Sequence, residues 1–339
     1  MKRIVLFFVI TCVVLVSNAQ PMDSAGSETV SRSEKFSLPA YCKEHGIFQH
    51  LDVSLNLGTT GVGVELSSPV SEMVHLRAGF DFMPHFHHKM SFGVQVGDNE
   101  AESDAKFNRL SGLLEDFTGY KVDNKIDMIG VPTFYNFKFL VDVFPIKNNK
   151  KWHVTAGFYW GSSQIAKAYN TTEDMPSLMA VSIYNNMYEK VMNYEPLIVV
   201  PGMDSQFDDP EIQNQLHDTF SAYGRMGMPV GHFVSDGSTY MMEPGDDGMV
   251  KAKARVNAFK PYLGFGYGGR LIKNNDKYHV ALDCGLMFWG GTPSIITHDG
   301  TDIAKDVTDI KGKVGDYVDF FKGFKVFPVL NVRFVKTLF

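Results

Sequence analysis

Apolar and polar residues alternate along several segments of the chain. In residues 74–82 one set of alternate positions is polar or small, and the other set is apolar, namely Val74, Leu76, Ala78, Phe80 and Phe82. Residues 277–289 repeat this arrangement. Successive side chains of a β-strand point to opposite faces of its sheet, so the alternation predicts strands with one apolar and one polar face.

The N-terminus predicts export from the cytoplasm. Lys2 and Arg3 give a basic start, residues 4–16 are apolar, and Ser17-Asn18-Ala19 form a small-residue cleavage site. The predicted domains are a signal peptide over 1–19, a periplasmic lead-in over 20–46 and a folded region over 47–339. An exported chain of alternating strands is typical of a transmembrane barrel, in which the apolar faces contact lipid. We therefore predict an all-β fold, a transmembrane antiparallel β-barrel in the outer membrane.

The turn residues divide the folded region into about eight strands. The candidates are 50–67, 72–84, 88–97, 132–144, 151–163, 250–269, 276–290 and 324–338. Long connections alternate with short ones, as they do between the external loops and periplasmic turns of such barrels. With a periplasmic N-terminus, the short turns, including 83–87, fall on the periplasmic side. The short connection 68–71 is the exception, since this orientation places it on the extracellular side.

The first strand candidate changes its alternation phase in the middle. Leu51, Val53, Leu55 and Leu57 are odd-numbered, whereas the apolar residues after Gly58-Thr59-Thr60-Gly61 are even-numbered. We interpret this switch as a β-bulge. A hairpin is the alternative, but it would give an odd number of strands.

The connection 164–249 is too long for a bare loop. Residues 175–194 have helical apolar spacing, residues 211–223 could form a second helix, and Asp236-Gly237 indicates a hairpin within 232–240. We predict a partly helical extracellular insertion that caps the outer mouth. Its hairpin could extend the barrel to ten strands.

The polar faces of the strands carry a balanced set of charges. The acids are Asp52, Glu65, Asp81, Asp142 and Asp283, and the bases are Arg77, Lys89, Lys138, Lys260 and Arg333. His75, His153 and His279 share these faces. Buried charges need partners, and an eight-stranded barrel has just enough room for side chains. We predict a closed, salt-bridged lumen, with a narrow polar pore as the alternative.

Two segments carry a resemblance to a known group of proteins. They are Gly58-Thr59-Thr60-Gly61-Val62-Gly63-Val64-Glu65 with Leu76-Arg77-Ala78-Gly79, and Phe259-Lys260-Pro261-Tyr262-Leu263-Gly264-Phe265-Gly266-Tyr267-Gly268. They resemble Bacteroidetes-type outer-membrane β-barrel proteins. The terminal segment 327–339 is also similar to the last strand of outer-membrane barrels, which typically ends in phenylalanine. The resemblance implies the fold and the outer membrane, and it implies no activity.

The sequence contains few groups of residues that are candidates for metal binding. His85, His87 and His88 cluster in one short turn, where imidazoles could bind Zn²⁺ or Cu²⁺. The long loops are acidic, and clusters such as Glu243, Asp246 and Asp247 could collect a divalent cation. No cofactor is predicted. The net charge of −6 and the scattered basic residues argue against nucleic acid as a partner.

The external loops also contain the side chains that a hydrolase would need. They are His217, Ser221, His232, Asp236, Ser238, His298 and Asp299. No nucleophile elbow or zinc-protease helix frames them. The predicted role is therefore structural, adhesive or binding at the cell surface. Transport of a small ligand or lipid and a lipid-modifying enzyme or protease at the outer rim are the alternatives. The expected partners are outer-membrane lipid, lipopolysaccharide, the barrel-assembly machinery and an extracellular ligand.

Overall fold

The computed structural model describes residues 50–97, 100–146, 149–197, 209–272, 275–310 and 312–338. The predicted signal peptide and periplasmic lead-in lie outside these ranges. The strands are β1 (Asp52–Gly58), β2 (Gly61–Ser71), β3 (Val74–Phe82), β4 (His88–Gly93), β5 (Gln95–Val96), β6 (Lys125–Pro132), β7 (Tyr135–Val143), β8 (Trp152–Gly161), β9 (Gln164–Asn170), β10 (Met226–Phe233), β11 (Thr239–Met242), β12 (Lys251–Arg255), β13 (Phe259–Ile272), β14 (Asn275–Met287), β15 (Ser294–Thr297), β16 (Val307–Thr308) and β17 (Phe327–Thr337). The helices are α1 (Glu100–Thr118), α2 (Met175–Met192), α3 (Pro210–Tyr223), α4 (Ile303–Asp306) and α5 (Gly312–Gly323). None of the helices in the described ranges is long and apolar enough to cross a membrane.

Eight of these strands close into an antiparallel barrel. Their order around the ring is β1, β17, β14, β13, β8, β7, β3 and β2. The polar face of each strand points inward and is buried, whereas the apolar face is exposed, so that exposure alternates residue by residue through most of β13. The predicted fold class and strand number are confirmed. The predicted strand boundaries are wrong in two places.

The first correction concerns Gly58 to Gly61. These residues form a hairpin turn and not a bulge, because Gly58 pairs with Gly61 at the end of the β1–β2 ladder. Gly61 has φ +98°, which a glycine adopts without strain, so the sequence can reverse direction there. The candidate strand 50–67 therefore supplies two barrel strands.

The second correction concerns residues 88–97. They leave the barrel and form β4 and β5, which pair with β6 and β10 outside the ring. The loss of this candidate offsets the strand gained at the hairpin, so the count remains eight. The exceptional connection 68–71 also disappears, because these residues belong to β2.

The strand directions separate two ends of the barrel. The β2–β3, β7–β8 and β13–β14 connections are short and lie at one end, which we call the short-loop end. The long connections 83–134, 162–258 and 288–326 lie at the other end, which we call the cap end. The turn 83–87 therefore belongs to the cap end and not to the predicted periplasmic side.

The cap contains a five-stranded sheet that continues the barrel wall. Its strand order is β15, β12, β9, β6 and β4. These five strands directly follow or precede β14, β13, β8, β7 and β3, in the same order as around the ring. Because β1, β2 and β17 have no such continuation in the described ranges, the sheet forms a half-wall above one side of the barrel.

The rest of the cap packs around this half-wall. The insertion 164–249 is partly helical, as predicted, but segments from 83–134 and 288–326 also build the cap. The predicted hairpin is β10–β11, and it joins β16 and β5 in a second sheet. The barrel therefore does not reach ten strands. Helices α1 and α2 pack with the sheets around buried Val96, Leu178 and Met226.

Candidate functional site

Arg77 lies at the centre of the barrel interior and contacts three carboxylates. Its Nε is 2.9 Å from Glu65 Oε1, its Nη1 is 3.0 Å from Asp142 Oδ2, and its Nη2 is 3.3 Å from Asp283 Oδ2. Only 3% of the residue is exposed. A guanidinium group has donors in a fixed planar fork, which allows one buried cation to serve several acids.

Lys138 and Arg333 extend this set of ion pairs on either side. Lys138 Nζ lies 3.0 Å from Glu65 Oε2 and 2.9 Å from Asp81 Oδ1. Arg333 Nε lies 3.2 Å from Asp283 Oδ2. We call this connected set the ionic layer, and its members are Glu65, Arg77, Asp81, Lys138, Asp142, Asp283 and Arg333. Each carboxylate in it has at least one cation within 4 Å, which offsets the cost of removing these charges from water.

His153 and two threonines complete the ionic layer. His153 Nε2 lies 2.8 Å from Asp283 Oδ1, Thr155 Oγ1 donates to Asp142, and Thr60 Oγ1 donates to Asp81. The layer itself holds four carboxylates and three permanent cations. The sequence places His153 and Thr155 on the polar face of β8, and this alternation is the signal that identifies them as inward-facing.

Three of the predicted lumen residues lie apart from the ionic layer. Asp52 accepts a hydrogen bond from Thr337 Oγ1 at the short-loop end. Lys260 Nζ donates to Asn136 Oδ1 and to two backbone carbonyls near the cap end. Lys89 is not in the lumen, because β4 belongs to the cap.

The surroundings of Lys89 show that it is a surface residue. Its side chain is 62% exposed, and its Nζ lies 2.7 Å from Asp127 Oδ2 on neighbouring β6. The hydrogen bond to Asp127 raises the pKa of Lys89. The lumen therefore lacks one of the five predicted bases, because Lys89 lies on the surface of the cap.

A cluster of apolar and aromatic side chains lies next to the ionic layer, toward the cap end. Tyr159, Tyr262, Met287 and Val329 are each at most 4% exposed. The rings of Tyr159 and Tyr262 meet edge to face with their centroids 5.5 Å apart. We call these four residues the apolar plug. Along β14, Met287 follows Asp283 toward the cap end, which places the plug above the ionic layer.

The other side of the ionic layer faces an open vestibule. This cavity of about 1150 Å³ opens at the short-loop end, and Asp142, His153 and Arg333 are among the residues that line its inner end. The predicted inward histidines His75 and His279 line its walls. From the short-loop end to the cap, the described interior therefore consists of a vestibule, the ionic layer and the apolar plug.

The packing inside the barrel also requires a glycine at position 266. A Cβ atom on Gly266 would lie 2.3 Å from His153 Nε2 and 2.5 Å from Asp283 Oδ1. These distances are shorter than any stable contact between such atoms, so glycine at this position makes room for the histidine–aspartate pair.

The three clustered histidines do not form a metal centre. Within the described ranges, no three histidine, cysteine, aspartate or glutamate side chains converge in a way that could hold a metal ion. His88 Nε2 instead lies 3.2 Å from the hydroxyl of Tyr317 on α5. His85 and His87 are exposed at the cap end. These residues do not converge, and their turn lies at the cap end and not on the predicted periplasmic side.

Two acidic residues of the predicted cation cluster in the cap are paired with bases. Glu243 accepts two hydrogen bonds from Arg225, at 2.5 and 2.6 Å. Asp247 lies 2.5 Å from Lys251 Nζ, and this hydrogen bond holds the pKa of Asp247 below its usual range. Arg225 and Lys251 thus pair with two of the three carboxylates, Glu243 and Asp247, that were candidates for a divalent cation.

Four of the seven predicted rim residues line one polar cavity. Ser221, Ser238, His298 and Asp299 border a space of about 770 Å³ between α3 and the β10–β11 hairpin. The hydroxyl of Ser238 donates to Asp236, and Asp299 accepts from Tyr240. Among the contacts of the described residues, no hydrogen bond joins His298 to either serine.

The remaining rim histidines lie elsewhere in the cap. His217 stacks on Tyr194 with the ring planes within 9° of each other. His232 lies in β10 and pairs with Thr308 of β16. The seven residues therefore do not converge on one catalytic arrangement.

A second cavity of the cap is apolar. Its floor is the five-stranded sheet, where small residues are aligned across neighbouring strands. One row is Gly130, Ala168 and Ala252, and the next row is Pro132, Ala166 and Ala254. Its roof is α5, through Val314, Tyr317, Val318 and Phe321. We call this space of about 740 Å³ the cap groove.

Polar contacts hold α5 over the groove. The His88–Tyr317 contact and the 3.4 Å hydrogen bond from Lys313 Nζ to the Ser91 carbonyl connect the helix to β4. After α5, the indole of Trp289 donates to the Phe324 carbonyl at 2.8 Å. The helix is thus connected to the edge of the half-wall on one side and to the barrel rim on the other.

Comparison with known proteins finds few relatives. No protein-family model matches the chain, and no curated protein matches it. Among solved structures, the chain is similar to the crystal structures of CarO2 and CarO from Acinetobacter baumannii. Each is 14% identical to this chain, and the match covers 85% of this chain and 98% of the other. The TM-scores are 0.35 for CarO2 and 0.36 for CarO.

Proposed function

We propose that this protein is an outer-membrane β-barrel with a closed lumen that acts at the cell surface through its cap. The apolar outer face of the barrel, with exposed Leu55, Phe80, Phe265 and Phe334, supports a lipid environment. The predicted signal peptide supports export, and the resemblance to Bacteroidetes-type outer-membrane barrels agrees with both.

The observation that carries the proposal is the filled interior. The ionic layer crosses the barrel from Asp81 to Arg333, and the apolar plug covers it. Ions cannot pass through side chains that are packed and paired to this extent without disrupting several ion pairs at once. A narrow polar pore would need a continuous water-filled path, and the described vestibule ends at the ionic layer.

The cap is the part of the molecule that an extracellular partner can reach, since the vestibule opens at the opposite end. In the proposed orientation, the short-loop end faces the periplasm and the cap end faces outward. Lipid and lipopolysaccharide would contact the apolar outer face of the barrel around Leu55, Phe80, Phe265 and Phe334, which we call the apolar belt. The barrel-assembly machinery would insert the chain. The extracellular partner would bind to the cap, which holds two cavities of about 740 and 770 Å³. Both volumes are in the range of small-molecule sites.

Conductance measurements test whether the lumen is closed. The full mature chain, reconstituted in planar bilayers, should give no current steps, whereas a general porin in the same bilayers gives them. Reproducible ion-selective steps from the chain would contradict the closed lumen and support the pore. Heat-modifiable migration on gels should accompany insertion, and a chain that stays folded in solution without detergent would contradict the barrel's membrane location.

Surface labelling tests the orientation. In a chain with serine in place of Cys42 and Cys284, one new cysteine is placed in the cap (Ser221→Cys) or at the short-loop end (Lys151→Cys). A membrane-impermeant maleimide should label the first variant in intact cells and the second only after the outer membrane is opened. The reverse pattern would contradict the proposed orientation.

A further inference from the structure

We propose that the cap groove binds an acyl chain of a lipid from the surrounding membrane. This inference rests on the proposed function in one respect, namely that the barrel lies in a bilayer. It adds a ligand class and a site, which are argued from the lining, the position and the hydrogen bonding of the groove.

The lining of the groove fits an apolar chain. Its floor consists of small residues, so the space above them is left open between the sheet and α5. Met90 and Met128, which pair across β4 and β6, and Ile295 on β15 border this floor. Flexible methionines and small alanines can adjust to a ligand without fixed shape. Apolar walls of this kind favour an apolar ligand.

The hydrogen bonding of the floor excludes an extended peptide. Strands β6, β9 and β12 are each paired on both sides within the sheet, so their backbone groups are already used. A peptide in the groove would bury N–H and C=O groups without partners, which is costly. A hydrocarbon chain has no such groups to satisfy.

The groove lies directly above the barrel rim, on the lumen-facing side of the half-wall, because Ala254 of its floor packs in one cluster with the apolar plug. Pro132 in the lower row of the floor lies three residues before Tyr135, the first residue of barrel strand β7. Tyr135, Trp160 and Phe259 are exposed on the outer face at this end, as in the aromatic girdle of a membrane barrel. The groove therefore begins directly above the level of the lipid interface.

Two exposed aromatic residues mark the mouth of the groove. Phe86, between β3 and β4, and Phe320, on α5, both line the groove and are each 58% exposed. Lys313 and His88 lie on the same side and connect α5 to β4. This combination of apolar walls and polar groups at the edge suits a lipid whose headgroup stays outside while one chain enters.

Photo-crosslinking tests the proposal. The full mature chain is reconstituted in nanodiscs that contain phosphatidylcholine with a diazirine on one acyl chain, irradiated, and mapped by peptide mass spectrometry. We expect carbene insertion in the groove, at residues such as Met90, Met128 and Tyr317, in addition to the apolar belt. Belt labelling without groove labelling would overturn this inference and leave the proposed function intact. Absence of belt labelling would contradict the proposed function itself.

Matched variants show whether the label enters the groove. Ala168→Trp fills the floor and should reduce groove labelling at least tenfold while belt labelling is unchanged. Tyr169→Trp, one residue later and on the opposite face of β9, does not line the groove and should leave both unchanged. Ala252→Phe is the second filling variant, and heat-modifiable migration shows that each variant has folded. Groove labelling that persists in the folded filling variants, or crosslinks between two copies through groove residues, would overturn the proposal.

Discussion

The lumen and the cap groove lie along one run of five barrel strands and their continuations in the cap, but they are built in opposite ways. Strands β3, β7, β8, β13 and β14 surround the lumen, and their continuations form the floor of the groove. In the barrel, their inward positions carry Arg77, Lys138 and Asp283, which fill the space with paired charges. In the cap, the floor positions carry glycine, alanine and proline, which leave a space of about 740 Å³.

This contrast assigns stability of the barrel to the lumen and the proposed binding to the groove. A filled, paired interior cannot take a ligand without losing ion pairs, so its residues serve to hold the barrel in one arrangement. An apolar space under a single short helix loses little when it is occupied, because its walls gain contacts that they lack when empty. The filled lumen therefore suits a structural role, and the open groove suits the proposed ligand.

The largest expected effect is the loss of the central cation of the lumen. Arg77→Met would leave Glu65, Asp142 and Asp283 with fewer cations in a site with almost no water. Removing one partner of a buried ion pair costs about 3–5 kcal/mol. We expect the free energy of unfolding, measured by urea titration in lipid vesicles, to fall by this amount.

Lys89→Met is the matched control for Arg77→Met. It also removes one cation that contacts an aspartate, but on the exposed surface of the cap. Surface pairs are screened by water and salt, so the free energy of unfolding should change little. Equal losses for Arg77→Met and Lys89→Met would break the comparison, because the lumen would then behave like a solvated surface.

The second test adds one methyl group to each region. Gly266→Ala places a Cβ 2.3 Å from His153 Nε2 in the lumen, and overpacking of this kind costs about 1–3 kcal/mol. Gly130→Ala in the groove floor meets the flexible end of Met90 at 3.2 Å and the His88 carbonyl at an ordinary contact distance of 3.7 Å. Gly269→Ala on the same strand as Gly266 meets nothing within 4 Å. Thermal unfolding should show a lower melting temperature for Gly266→Ala and no change for Gly130→Ala or Gly269→Ala. A comparable loss for Gly130→Ala would contradict the open groove.

The sequence was sufficient to predict the barrel because alternation is a local signal. Each inward residue of the ionic layer is identified by its position relative to apolar neighbours within the same strand, as Arg77 is between Leu76 and Ala78. Lys89 met the same criterion and was misplaced, because alternation does not distinguish a barrel strand from a cap strand. The hairpin at Gly58 to Gly61 was missed because a bulge and a tight turn produce the same phase switch.

The cap groove could not be predicted from the sequence. Gly130, Ala168 and Ala252 are aligned only because β6, β9 and β12 pair in the cap, and these strands are far apart along the chain. Small residues in short strands carry no periodic apolar signal that would indicate a cavity. The role of His88 was misjudged for a related reason, since its partner Tyr317 is 229 positions away in sequence.

The third test weakens the hydrogen bonds of Asp299 in the cap and leaves the lumen unchanged. Burial acts to raise the pKa of Asp299, but hydrogen bonds from Thr297, Thr301 and Tyr240 outweigh it and hold that pKa below its ordinary value. The stability from ionised Asp299 is therefore fully present above the unfolded pKa of about 3.9 and is lost as the pH falls through the lower folded value.

Amide hydrogen exchange, corrected for intrinsic rates, measures this effect. In the wild type, residues 295–304 should lose protection as the pH falls from about 6 to about 3, while the barrel strands remain protected. Asp299→Asn should show the reduced protection at both pH values, and exposed Asp104→Asn on α1 should behave as the wild type. A barrel that loses protection together with the cap would show that the two regions do not respond separately.

The smallest expected effect concerns the helix that covers the groove. Tyr317→Phe removes the hydroxyl that contacts His88 at 3.2 Å and leaves the ring in place. A single hydrogen bond of this kind contributes about 0.5–1.5 kcal/mol, so the amides of α5 should exchange about two- to tenfold faster if the helix opens locally. Tyr120→Phe, which removes a hydroxyl from an exposed tyrosine beyond α1, is the matched control and should leave α5 unchanged. If Tyr317→Phe also leaves α5 unchanged, the contact with β4 does not restrain the helix, and access to the groove must be controlled by the apolar contacts of Val318 and Phe321 with the floor.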